Sequence, residues 1–222
     1  MEIQLSDQGN LLLVNKPREW TSFDVVNKLR YILKTKKIGH AGTLDPLATG
    51  LLIICVGKMT KRIEEFMGQE KEYTGKFILG QTTPSHDLET EATEQKDISG
   101  LTEALVKEAT KNFIGKISQM PPQHSAIRIG GKRAYEFARK GEEIELKPRE
   151  VEVSEFEITS VALPEITFRI VCSKGTYIRS IARDFGNVLG VGAYMSELCR
   201  TRIGPHTLEN AVTIDEVHLV IP

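Results

Sequence analysis

Cysteine is scarce. Cys55, Cys172 and Cys199 are the three in 222 residues, an odd number with no C-x-x-C pair, which excludes a disulfide framework and a thiolate zinc cluster. Each lies in or beside an apolar stretch. Buried free thiols belong in a reducing compartment, so a cytoplasmic protein is expected. Long hydrophobic runs are also lacking: none approaches the roughly 20 residues of a membrane span. Met1-Glu2-Ile3-Gln4-Leu5 lacks the basic-then-apolar pattern of a signal peptide. No membrane partner is expected. There is no H-x-x-x-H, H-E-x-x-H, G-x-x-x-x-G-K-S/T or G-x-G-x-x-G, so zinc and nucleotide cofactors have no support, and neither metal nor cofactor is expected. Charge of one sign is not in excess: 29 Lys and Arg against 30 Asp and Glu leave a net charge of −1, which rules out a global field for a polyanion.

The charge that is present is segregated. Between positions 16 and 40 stand Lys16, Arg18, Lys28, Arg30, Lys34, Lys36 and Lys37 against Glu19 and Asp24. Arg128, Lys132, Arg133, Arg139 and Lys140 stand against Glu136 in a second basic run, and the span 87–108 is acidic. Such a distribution permits a basic face toward nucleic acid; solvated helix faces have the same composition.

One stretch organises the chain: Gly39-His40-Ala41-Gly42-Thr43-Leu44-Asp45-Pro46-Leu47-Ala48-Thr49-Gly50, leading into the apolar run Leu51-Leu52-Ile53-Ile54-Cys55-Val56. Its glycines, proline and threonines make the first part a shaped loop, and the second part reads as a buried strand. Pro46 pushes Asp45 toward an extended backbone. The result is a carboxylate in a stiff turn at the lip of a strand, fit to act as nucleophile or general base. The plain alternative is a turn-forming Asp bonded to nearby backbone N–H groups.

Strands are expected at 11–15, 51–56, 71–80, 125–129, 149–160, 165–172 and 193–203, with helices at 23–36, 58–67, 101–113, 132–140, 176–189 and 215–219. The order shows little β-α-β alternation. It predicts an α+β fold with a mixed, largely antiparallel sheet and flanking helices. The chain reads as a single domain over 1–222 with an inserted basic lobe at about 120–150, flanked by Met120-Pro121-Pro122.

Outside the loop, Tyr73 can stack on a base or move a proton, Arg179 can point from a helix start into a cleft and pair with Asp45, and Tyr177 and His40 are further candidates. Taken together these segments resemble the tRNA pseudouridine synthase B (TruB) family. The resemblance rests on Asn15-Lys16-Pro17 with Trp20-Thr21-Ser22-Phe23-Asp24-Val25-Val26, and on the loop from Gly39 to Leu52. Lys71-Glu72-Tyr73, Ser125-Ala126 with Gly131-Lys132-Arg133-Ala134-Tyr135-Glu136, and Gly175-Thr176-Tyr177-Ile178-Arg179-Ser180 complete it. These motifs fall in family order from about Leu11 to Gly204.

The resemblance implies conversion of uridine-55 in the tRNA T-loop to pseudouridine, and a monomer is expected. Asp45 matches the catalytic aspartate, Tyr73 the tyrosine that stacks on the target base, and Arg179 the arginine paired with the aspartate. His40 matches a residue that holds the T-loop. Asp87 and Tyr177 match contacts of the target base, and Lys16, Lys132 and Arg133 are expected to face the RNA. Reaching a base inside a folded loop requires flipping it out, which suits a lobe that clamps RNA. Two departures stand out. The family usually has Gly where Glu19 stands, so that turn is expected to differ, and no separate C-terminal RNA-binding domain is expected. Two alternatives remain open at this level: a tRNA-binding and folding protein without chemistry, and a carboxylate-dependent RNA hydrolase.

Overall fold

The computed structural model describes residues 2–219 except Glu94, Ala126, Arg139 and Glu143. Ala126 of the Ser125-Ala126 motif and Arg139 of the basic run therefore lie outside the described residues, as does the side chain of Arg133. The chain separates into two compact units, Met1–Thr74 with Glu197–Pro222 and Gly75–Ser196.

The first unit is built on one strand. In chain order its elements are β1 (Glu2–Ile3), β2 (Asn10–Lys16), α1 (Ser22–Ile32), β3 (Ile38–His40), β4 (Thr49–Val56), α2 (Ile63–Gly68) and the start of β5 (Lys71–Leu79). Strand β4 pairs antiparallel with β2 from Lys16↔Gly50 to Asn10↔Val56, and antiparallel with β3. It also pairs parallel with β11 (Ala193–Ile203) through Cys199↔Thr49 and Arg200↔Gly50. Its residues from Gly50 to Val56 are all buried. This is why the sequence reads there as a continuous apolar run and not as an alternation.

The two faces of β4 feed two clusters. Leu52, Ile54 and Val56 pack with Val25, Val26, Leu29 and Leu33 of the α1 region. Leu51, Ile53 and Cys55 pack with Ala41, Phe66 and Ile203. Burial pushes the Cys55 thiol up to about 11, so it is an inert apolar filler at neutral pH.

The second unit carries the rest of β5, then α3 (Glu103–Ala109), β6 (Gly115–Gln119), β7 (Arg128–Ile129), β8 (Lys132–Arg133) and α4 (Ala134–Ala138). After these come β9 (Arg149–Ala162), β10 (Glu165–Cys172) and α5 (Ile178–Val188). The sheet order here is β5-β10-β9-β6, with β10 and β6 both antiparallel to β9. An aromatic cluster fastens α5 to this sheet. Phe77 lies 4.2 Å from Phe168, Phe156 lies 5.4 Å from Phe185, and Phe113 lies 5.9 Å from both Phe156 and Phe185. Short strands β12 (His206–Thr207) and β13 (His218–Leu219) end the chain, β13 pairing with β1.

Several local expectations need correction. Helix α1 stops at Ile32 and not at Lys36, because Lys34 turns into the left-handed region at φ 49. Residues 58–67, expected as one helix, form a 3-10 turn over Gly57–Arg62 before α2, and Met67 is exposed. Strand β6 falls in a stretch that the periodicity left without structure, since its buried partner residues lie on β9, far away in sequence. Cys199 is half-buried and not enclosed.

Candidate active site

Asp45 sits half-buried in the loop between β3 and β4. The loop is held from below by three buried polar residues. Ser22 Oγ accepts from the Leu44 N–H at 2.9 Å and donates to the Leu44 carbonyl at 3.2 Å. Lys16 is fully buried, and its ammonium donates to the carbonyls of Pro17 at 2.8 Å, Trp20 at 2.6 Å and Pro46 at 3.2 Å. Arg200, also buried, donates from Nε to the Leu51 carbonyl at 2.8 Å, and from Nη2 and Nη1 to the carbonyls of Gly42 at 3.1 Å and Thr43 at 3.5 Å. Gly50 makes the approach possible: at φ 102, a Cβ there would lie 2.4 Å from the Arg200 carbonyl oxygen. The Asp45 carbonyl closes its own turn by accepting from the Ala48 N–H at 3.1 Å.

Two buried cations thus stand behind a single carboxylate. Burial drives the Lys16 ammonium down to about 8, the negative charge of Asp45 opposes that shift, and the nearby Arg200 adds to it. The arrangement fixes the backbone of a half-buried Asp45, as the positioning of a nucleophile or base requires. Lys16, expected among the RNA contacts, spends all three of its donors on backbone carbonyls of this unit. His40 ends β3, opposite Ile54, and Tyr73 lies on β5 with 9% of its surface exposed.

The second unit brings together another set. Arg179, in the first turn of α5, pairs with Asp87 at 3.5 Å, and both side chains are 4% exposed. The guanidinium also donates to the carbonyls of His124 at 2.8 Å and Ser85 at 3.4 Å. Asp87 in turn accepts from the Glu89 N–H at 2.9 Å, and the hydroxyls of Thr83 and Ser85 donate to its carbonyl. A buried ion pair is favoured when its other polar atoms find partners, and here the 83–89 loop and residue 124 supply acceptors for Nη1 and Nη2 and donors for Asp87. His86 occupies the left-handed region at φ 61. Burial, with Arg183 and Arg179 nearby, pushes its imidazole down to about 4, so it is neutral at physiological pH.

Tyr177 is fixed at the entry to α5 by Gln119. The amide oxygen of Gln119 accepts from the Tyr177 N–H at 2.8 Å, and its amide nitrogen donates to the Tyr177 carbonyl at 3.1 Å. Lys132 is exposed on β8, 5.9 Å from the Phe137 ring centroid. Sequence reasoning missed Ser22, Gln119 and Arg200 as site residues. Arg200 carried no distinctive signal, because it alternates with Arg202 on one face of β11 and the two look alike in sequence. Among the described residues, no group of three His, Cys, Asp or Glu side chains could hold a metal ion, and no helix is long and apolar enough to cross a membrane.

Comparison with known proteins places this geometry in a class. Residues 30–178 match the model of the TruB family pseudouridylate synthase N-terminal domain, and residues 179–221 match the tRNA pseudouridylate synthase B C-terminal domain. Among solved structures, the chain resembles one in a Cbf5-Nop10-Gar1 complex at 30% identity and a TM-score of 0.73, covering 95% of this chain and 53% of that one. It also resembles a chain of an H/ACA RNP bound to a substrate RNA containing 2′-deoxyuridine, at 28% identity and a TM-score of 0.70, covering 95% and 52%. The chain therefore spans about half the length of those structures. The class is that of the pseudouridine synthases, an α+β fold with mixed sheet and flanking helices.

Curated relatives narrow it. The tRNA pseudouridine synthase B of Flavobacterium johnsoniae is 54% identical over 214 residues, covering 93% of each chain. That of Parabacteroides distasonis is 53% identical over 215 residues, covering 94% of this chain and 92% of the relative. That of Chlorobaculum tepidum is 47% identical over 218 residues, covering 96% and 91%. The chain belongs to the TruB family of tRNA pseudouridine synthases.

Proposed function

We propose that this chain converts uridine-55 in the T-loop of tRNA to pseudouridine, with Asp45 as the nucleophile. The observation that carries the reading is the Asp45 loop itself: a carboxylate on a backbone clamped by Lys16, Ser22 and Arg200. A turn-forming aspartate would need no such foundation. The reaction breaks the N1–C1′ bond of the nucleoside, joins C1′ to C5, and moves a proton from C5 while N1 gains one, so mass is conserved. In this reading Tyr73 stacks on the target base, Arg179 serves the catalytic aspartate as the family's arginine does, and Asp87 and Tyr177 contact the base once it is flipped out. His40 steadies the T-loop. The exposed Lys28, Lys34 and Lys37 and the basic lobe around Lys132 and Arg133 meet phosphates.

The test is to incubate the purified protein with unmodified tRNA transcript and map pseudouridine by carbodiimide-dependent primer-extension stops. A stop at position 55 is expected, with unchanged RNA mass. Asp45→Asn should keep tRNA affinity and lose the stop entirely. Normal product from that variant would remove Asp45 as nucleophile, and strand cleavage would turn the reading toward a hydrolase.

A further inference from the structure

Arg149 begins β9, where the chain returns from the inserted basic lobe to the sheet. Its guanidinium carbon lies 4.5 Å from the centroid of the Tyr177 ring, a stacked cation–π contact. The ring cannot drift away, because Gln119 clamps the Tyr177 backbone from both sides. The far edge of the guanidinium is bounded by Gly175, where a Cβ would come 3.6 Å from Nη1. Among the described residues, the Nε and Nη2 nitrogens of Arg149 are buried and have no hydrogen-bond partner. By comparison, both terminal nitrogens of Arg179 donate to carbonyls, Nη1 to Ser85 and Nη2 to His124, whereas at Arg149 one whole edge is left open.

Buried donors left open are rare and mark either strain or an absent ligand. The two open groups here are not a random pair. Nε–H and Nη2–H share one edge of the guanidinium and point the same way, the side-on fork that grips two oxygens of a phosphate or carboxylate at once. The stacked Tyr177 ring holds that fork flat, so little side-chain freedom remains to be lost when an acceptor arrives. An anion that meets a stacked arginine at the root of a basic lobe, in a protein that handles RNA, is a phosphodiester.

We propose that Arg149 is an RNA-binding residue whose Nε–Nη2 edge takes a backbone phosphate of the bound RNA beside Tyr177. The inference rests on the proposed action on tRNA, and it adds a specific phosphate subsite held by an aromatic stack. It also gives the Tyr177 ring a second role, supporting Arg149, beside the base contact proposed above.

Binding is measured by filter retention of unmodified tRNA transcript over a salt series, with every variant carrying Asp45→Asn so that no turnover occurs. Arg149→Met should weaken binding by on the order of tenfold and flatten the log K against log salt slope by about 0.7–0.9, the loss of one phosphate contact. Its melting temperature should hold or rise, because the substitution removes two buried donors that have no partner among the described residues. Arg149→Lys keeps the charge without the planar fork, and it should retain the slope while recovering only part of the affinity. An unchanged slope in Arg149→Met overturns the proposal whatever happens to stability, and a fall in melting temperature with unchanged slope assigns Arg149 to packing instead. Failure of the proposed function is read separately, from the absence of pseudouridine made by the protein with Asp45 intact.

Discussion

Glu19 stands in the left-handed region at φ 70, in the turn that joins β2 to α1. Its N–H donates to the Pro46 carbonyl at 2.8 Å, the same oxygen that Lys16 reaches at 3.2 Å. That hydrogen bond ties the turn to the residue after Asp45. The turn keeps a conformation natural to glycine, although a glutamate fills it. A side chain in this region costs about 1–2 kcal/mol, and a glycine costs about 0.5–1 kcal/mol in unfolded-state entropy. Glu19→Gly should therefore raise stability by about 0.5–1 kcal/mol in urea denaturation and leave pseudouridine formation unchanged.

A second residue-level prediction concerns Arg179 and Asp87. Removing one member of a buried pair strands the other charge, so Asp87→Ala should lose about 3 kcal/mol of stability. The double variant Asp87→Leu with Arg179→Met should recover most of that loss and still make no product. Recovery of product together with stability would show that the pair serves packing alone.

At the scale of elements, the loop before β4 behaves as a platform more than as a flexible connection. Its carbonyls at Gly42, Thr43 and Pro46 accept from buried cations, as does that of Leu51 in β4, which leaves Asp45 on a fixed backbone. Lys16 makes this platform sensitive to pH. Its folded value of about 8 lies below the ordinary lysine value of 10.5, so between those two values the unfolded chain binds more protons than the folded one. Stability contributed by this group rises with pH across that window and is flat below about 8. The difference in unfolding free energy between the native chain and Lys16→Met should therefore grow in favour of the native chain from pH 8 to 10.5. An equal dependence on pH in both would show that the Lys16 ammonium is not desolvated.

For the molecule as a whole, a net charge of −1 gives no general attraction to RNA, so affinity must come from segregated patches. Replacing Lys132 and Arg133 together by Gln should weaken tRNA binding and reduce the salt slope by up to about 1.8, two phosphate contacts at roughly 0.9 each. An unchanged slope would remove both from the RNA surface. The aromatic cluster of Phe77, Phe113, Phe156, Phe168 and Phe185 serves a different end. It fastens α5 to its sheet, and α5 carries Arg179 and follows Tyr177.

The sequence by itself determined the elements with local causes. The apolar run of β4, the capping box of Thr21 and Asp24 at α1, and the Asp45-Pro46 turn all follow from neighbouring side chains, as does the motif set that marks the family. Tertiary structure decided what depends on residues far apart in the chain. Strand β6 exists because β9 pairs with it, and five phenylalanines become one core only when α5 lies on the sheet. Lys16 and Arg200 read as surface charges in a linear sequence. They become buried supports of the Asp45 loop because β2, β4 and β11 assemble side by side, and the cations enclosed there meet their donors on backbone carbonyls, those of that loop among them.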